Sequence, residues 1–160
     1  MVNSRIWSVP SLSALLLLAG CDEPGTPAPI RPFRTDTLEG PVAAKVERVI
    51  DGDTIQVEAA IWLGQTINVR VRIDGIDAAE PEGPCAEERR LAELARDYLV
   101  RRLNHGPITL THVGYDKYGG RVRATVADSK GNVGADLIAA GLARPYHGER
   151  RGPWCPKGAS

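Results

Sequence analysis

The stretch Val69-Arg70-Val71-Arg72-Ile73-Asp74-Gly75-Ile76-Asp77-Ala78-Ala79-Glu80 combines a fold signal with a chemical one. Ile67, Val69, Val71 and Ile73 alternate with Asn68, Arg70 and Arg72, which predicts a half-buried strand from Thr66 to Ile73. Past its end, Asp77 and Glu80 follow Arg72 by five and eight residues. An arginine and two carboxylates are thereby placed across one strand and the turn that ends it.

Working outward, Ala43 to Val49 and Thr54 to Ala59 read as a strand pair turning at Asp51-Gly52. Downstream, a helix is expected from about Ala86 to Leu103, with an apolar stripe of Leu91, Leu94, Ala95, Tyr98, Leu99 and Leu103. Glu87 and Glu88 at its start and Arg101 and Arg102 near its end suit the helix dipole, and Gly106 is placed to stop it. Ile108 to Val113 and Arg121 to Ala127 supply two more strands, and a second helix runs from about Val133 to Ala140, ending near Gly141. Five short strands with one inserted and one following helix predict a small closed β-barrel decorated by helices, a mainly β (α+β) fold.

The 160 residues divide unevenly. Residues 6–18 form an apolar run behind a short segment bearing Arg5, of signal-peptide length and too short to span a bilayer. The run ends Leu18-Ala19-Gly20-Cys21, similar to the lipobox of bacterial lipoproteins, which implies a signal peptide over 1–20 and a lipidated Cys21. An ordinary signal peptide cleaved nearby is the alternative. Either way the protein is expected to be exported, and with the lipid it would be a membrane-anchored lipoprotein facing the periplasm or the cell exterior. Asp22 resembles the inner-membrane retention signal of some bacteria. Residues 22–42, with Pro24, Pro27, Pro29, Pro32 and Pro41, read as a disordered tether. Residues 43–160 are then one domain.

Charge narrows the function. Twenty basic side chains balance twenty acidic ones, and loss of the leader with Arg5 leaves about −1. Such a chain does not coat nucleic acid by bulk electrostatics, so phosphate recognition must come from a few placed arginines. Once Cys21 is given to lipid, Cys85 and Cys155 remain. In an exported protein that pair reads as a disulfide, with two free thiols as the alternative. No protein partner is inferable.

Four motifs in order support a resemblance: Ile50-Asp51-Gly52-Asp53-Thr54, the Arg72 to Glu80 cassette, Asp116-Lys117-Tyr118-Gly119 with Arg121, and Leu137-Ile138-Ala139-Ala140-Gly141-Leu142-Ala143. Together they resemble the staphylococcal nuclease (thermonuclease) family across about residues 44–146. The resemblance implies an OB-fold five-stranded barrel with two to three helices and a calcium-dependent hydrolysis of DNA or RNA phosphodiesters. Cleavage at the 5′ P–O bond would leave 3′-phosphates.

By the same resemblance, Asp53, Asp77 and the main-chain carbonyl of Ala78 would hold Ca2+, with Asp51 and Thr54 just outside. Glu80 would be the general base, with Glu82 as its rival, and Arg72 and Arg121 would clamp the scissile phosphate. Lys117, Tyr118 and Tyr146 would contact the nucleotide. The pattern departs from the family in two places. Asp77-Ala78-Ala79-Glu80-Pro81 replaces Asp-Thr-Pro-Glu, and Gly120 is an extra residue, so Arg121 is aligned through Ala124 with Arg123 as fallback. The tail residues Arg144, His147, Arg150, Arg151 and Lys157 form a basic patch, which a Cys85–Cys155 bond would hold beside the cleft. The other class of function consistent with the chain is a non-catalytic OB-fold module binding nucleic acid or an envelope partner.

Overall fold

Alternation along three consecutive strands builds one wall of a barrel. In β2 (Val42–Val49), β3 (Thr54–Trp62) and β4 (Gln65–Ile73), inward positions such as Val46, Ile55, Val57, Val71 and Ile73 are almost wholly buried. Their neighbours Gln56, Glu58, Arg70 and Arg72 lie on the other face, as a period of two requires. The computed structural model describes residues 36–155, all within one compact unit. The leader, Cys21, residues 22–35 of the stretch read as a tether, and Lys157 lie outside the described residues.

The remaining order is β1 (Thr37–Leu38) ahead of β2, then β5 (Ile76–Ala78), α1 (Ala86–Leu103), β6 (Pro107–Tyr115), β7 (Arg121–Asp128), β8 (Gly131–Asn132), α2 (Val133–Ala139) and β9 (Ala143–Pro145). Strands β6, β2, β3, β4 and β7 are hydrogen-bonded in that order, and β7 pairs back onto β6. That closure makes a five-stranded barrel without free edges among its staves, as the sequence predicts. β4 and β7 run parallel, with Arg70 opposite Arg121 and Arg72 opposite Arg123, and the other staves are antiparallel. A register shift in β6 between Thr111 and Gly114, where His112 has φ +52°, bends the strand that closes the barrel.

Three features differ from expectation. β1 lies inside the stretch read as a tether, and its two residues pair with Gly114 and Val113 of β6. Strands β5 and β9 are too short for a periodic signal, yet they pair with each other and set Asp77 opposite Arg144. Finally, α1 has the expected bounds but buries Glu88, Ala92, Ala95, Leu99 and Leu103, while Leu94 is exposed. The expected stripe otherwise holds, and its small member Ala95 lets the helix approach closely: a Cβ on Gly52 would stand 2.7 Å from that of Ala95. Asn104 (φ +38°) and His105 (φ +54°), not Gly106, turn the chain out of α1.

Asn132 caps α2, accepting from the Ala135 N–H at 2.8 Å. Gly141 at φ +70° ends it, and the Leu142 N–H reaches back to the Leu137 carbonyl at 2.9 Å. Arg102 joins three elements: its Nη1 is 2.9 Å from Asp128 of β7, and its Nη2 donates to Asp136 of α2 at 2.6 Å. Cys85, just before α1, is bonded to Cys155 across a separation of 70 residues. Closing such a loop stabilises the fold by on the order of 4 kcal/mol in the chain-entropy description.

Arg102 is nearly buried, so truncating it leaves Asp128 buried without its cation. Arg102→Ala should lower unfolding stability by about 3 kcal/mol in urea denaturation. A loss under 1 kcal/mol would show that the three-element junction is held by packing alone.

Candidate active site

The turn between β2 and β3 and the end of β4 meet at one rim of the barrel. Asp51 shapes the turn by accepting from the Asp53 N–H at 3.1 Å, while the N–H groups of Ile50 and Asp51 both donate to the Thr54 carbonyl. Gly52 packs under this turn against Ala78 and Ala95, where no larger residue fits. Asp53 is therefore carried into a buried position, 4 % exposed. Pairing of β3 with β4 sets Thr54 opposite Arg72, and the Ile73 N–H donates to the Asp53 carbonyl at 2.8 Å.

Asp77 arrives from β5 and is equally buried. Arg72 lies between the two acids: its Nη1 is 2.6 Å from Asp53 Oδ2, its Nη2 is 3.9 Å from Asp77 Oδ1, and Nη2 also donates to the Ile76 carbonyl at 3.3 Å. Asp74 does not compete for Arg72, because it faces Arg123 at 3.5 Å. Asp53 also accepts from the Thr54 hydroxyl at 2.9 Å and the Ala78 N–H at 3.4 Å. Burial pushes the Asp53 carboxyl above the usual carboxylate range, against the pull of Arg72.

The geometry fits a hard cation. Asp77 Oδ1 is buried with Arg151 Nε 2.9 Å away but makes no directed hydrogen bond, so it is met by charge alone, as an oxygen able to take a cation would be. Among the described residues no third carboxylate, imidazole or thiol converges with Asp53 and Asp77. The one group of three potential ligands is Cys85, Glu88 and Cys155, and its sulfurs are consumed by the disulfide.

Glu80 lies on a loop tied down at both ends. Its carbonyl accepts from the Gly83 N–H at 3.0 Å, and its N–H points to the buried Glu88 carboxylate at 3.5 Å. Arg89 adds a bond of 2.8 Å to the Gly83 carbonyl. Glu80 lines a hollow of about 320 Å³ with Asp51, Asp53, Arg72, Lys117, Tyr118, Arg121 and Arg151, whereas the exposed Glu82 is outside it. A second hollow of about 460 Å³ adjoins, walled by Tyr115, Tyr146 and His147 and sharing Arg72, Lys117, Arg121 and Arg151 with the first.

Arg121 pairs with Asp116, and the extra Gly120 is absorbed at φ +76° in the loop between β6 and β7. Arg121 faces both hollows, while Arg123 reaches only the larger. Tyr118 is exposed, with Lys117 and Arg121 each about 5 Å from its ring centre. Tyr146 is half-buried, and its N–H donates to the Gly75 carbonyl at 2.9 Å; it belongs to the cleft wall and not to the barrel core. The tail supplies residues that motif reasoning did not separate from the general basic patch. Arg151 pairs with Asp77 and Glu80, and Trp154 Nε1 donates to Asp77 at 3.3 Å.

Residues 70–153 match the model of a family described as staphylococcal nuclease homologues, just over half of the chain. The chain belongs to that family. The matched stretch carries the cleft residues named above except Trp154, just beyond its end, and the turn with Asp51, Asp53 and Thr54, which β3–β4 pairing brings in from upstream. Among curated relatives, the chain is 33 % identical over 118 residues to endonuclease YhcR of Bacillus subtilis, covering 69 % of this chain but 9 % of that protein. It is 27 % identical over 124 residues to an uncharacterized endonuclease of Escherichia coli O157:H7, covering 78 % of this chain and 74 % of that protein.

The contact of Gly52 with Ala95 and Ala78 holds the acidic turn against α1. Gly52→Ala should cost about 2 kcal/mol by forcing these elements apart, read as a lowered midpoint in thermal unfolding. An unchanged midpoint would show that the turn is not held by this contact.

Proposed function

We propose that this domain is a calcium-dependent nuclease that hydrolyses phosphodiester bonds of DNA, with RNA as a second substrate class. The observation that carries the reading is the pair of buried acids, Asp53 and Asp77, both within reach of Arg72, with Asp53 lining a hollow that also presents Lys117, Arg121 and Arg151. The family membership and the endonuclease relatives support it. Asp53, Asp77 and the Ala78 carbonyl are the residues assigned to hold the ion. When bound, calcium would supply positive charge to a phosphate oxygen and polarise water.

The chain's own groups have separate tasks. Arg72 and Arg121 face the hollow with fixed planar donors that suit phosphate oxygens and the charge developing on them. Glu80, exposed enough to meet water and held by its loop, takes the proton from the water that attacks phosphorus. Attack opposite the 5′ oxygen breaks the 5′ P–O bond and leaves a 3′-phosphate. Lys117, Tyr118 and Tyr146 flank the phosphate position as supports for the adjoining nucleotide.

A binding module that does no chemistry is the second class of function. It has no use for two buried carboxylates beside a phosphate, which repel the ligand. We further propose export and lipidation at Cys21, on the strength of Leu18-Ala19-Gly20-Cys21 and of a disulfide suited to an oxidising compartment. The protein would then be anchored to a membrane with its nuclease domain outside the cytoplasm.

The soluble domain should degrade DNA in calcium and stop in chelator. Glu80→Gln should slow cleavage by about 10²–10⁴-fold while still binding an oligonucleotide. Intact DNA after incubation of well-folded protein with calcium contradicts the nuclease reading. Equal rates for parent and variant would remove Glu80 from the base role.

A further inference from the structure

The C-terminal segment after β9 returns to the cleft and is fastened there at several points. Arg144 Nη1 donates to the Pro153 carbonyl at 3.0 Å, and its guanidinium stacks 3.7 Å from the Trp154 ring. Trp154 in turn reaches Asp77, and Cys155 is bonded to Cys85. Arg151 lies within this strap. Its Nε is 2.9 Å from Asp77 Oδ1 and its Nη1 pairs with Glu80, so one guanidinium spans an assigned ion ligand and the assigned base. Among the described residues its Nη2 has no partner, and the side chain is 36 % exposed.

We infer that Arg151 is a third guanidinium of the substrate-phosphate site, delivered by the Cys85–Cys155 strap; the inference rests on the nuclease reading. Arg151 stands on the boundary shared by the two hollows, together with Arg72, Lys117 and Arg121. A phosphodiester crossing from one hollow to the other therefore passes its outward-facing donors. Charge explains why the strap is needed. Asp51, Asp53, Asp77 and Glu80 put four carboxylates at this rim, and Arg72 is largely engaged by Asp53 and the Ile76 carbonyl. Arg121 is engaged by Asp116. With an ion held by Asp53 and Asp77, Arg151 would be released from Asp77 and its donors would be available to the phosphate. The strap then keeps that guanidinium within reach at low entropic cost.

The competing role is a plug: a cation that fills the acidic site and must leave before anything binds. The two roles predict opposite results for Arg151→Gln. Oligonucleotide affinity is measured by fluorescence anisotropy in calcium, with Glu80→Gln as the background to prevent cleavage, and calcium affinity by calorimetry. Arg151→Gln should weaken oligonucleotide binding about tenfold or more, with calcium affinity unchanged or tighter. Arg96→Gln, which removes an equal charge from the exposed face of α1, should leave both unchanged. Reducing the disulfide, with circular dichroism confirming a folded domain, should weaken binding in the Arg151 protein and add little once Arg151 is Gln. Oligonucleotide binding as tight or tighter in Arg151→Gln overturns the inference in favour of the plug. If the parent neither binds calcium nor cuts DNA, the nuclease reading itself falls; a working parent with an unaffected variant sinks the Arg151 assignment alone.

Discussion

Two buried carboxylates can share a site only if positive charge is brought to them. Asp53 and Asp77 are each 4 % exposed, and the surrounding architecture answers that demand. Strand β4 brings Arg72 to Asp53, and the strap brings Arg151 to Asp77. Removing two acids from water costs several kcal/mol each unless the charge is compensated. Barrel closure, the contact of Gly52 with α1 and the β5–β9 pairing all hold these acids where solvent cannot screen them. In the proposed function these guanidinium groups would yield to a divalent ion and turn their donors to a phosphate.

The barrel was legible because its staves obey a period of two. Strands predicted at Thr54 to Ala59 and Thr66 to Ile73 are found as Thr54–Trp62 and Gln65–Ile73, longer at the hairpin where alternation fades into Ile61-Trp62-Leu63. Along α1 the hydrophobic pattern marks Ala95, Leu99 and Leu103, which are buried, but also Leu94, which is exposed, while Ala92 joins the buried face and Ala95 packs close to Gly52. Strands β5 and β9 are three residues each and carry no periodic signal. Their pairing is nevertheless what orients Asp77.

Within the site, residues in ordered motifs were found and the strap was only partly seen. Arg72, Asp53, Glu80, Arg121 and Lys117 all face one hollow. Tyr118 faces the same hollow and Tyr146 the neighbouring one. Arg151 was visible only as one charge in a basic tail, since nothing local distinguishes it from Arg150. Its position depends on the bond from Cys155 to Cys85, a contact between distant parts of the chain. Ala78 is buried against Gly52, Pro81 follows Glu80 in a loop closed by Gly83, and Gly120 takes a left-handed turn.

Asp53 and Asp77 are the proposed ion ligands, met by guanidinium groups in the ion's place. Calorimetric titration of calcium into the parent domain and into Asp77→Asn tests this assignment most directly. One saturable site in the parent, lost or weakened at least tenfold in a folded variant, is the predicted result. Equal binding by the two proteins, or none by the parent, would contradict it.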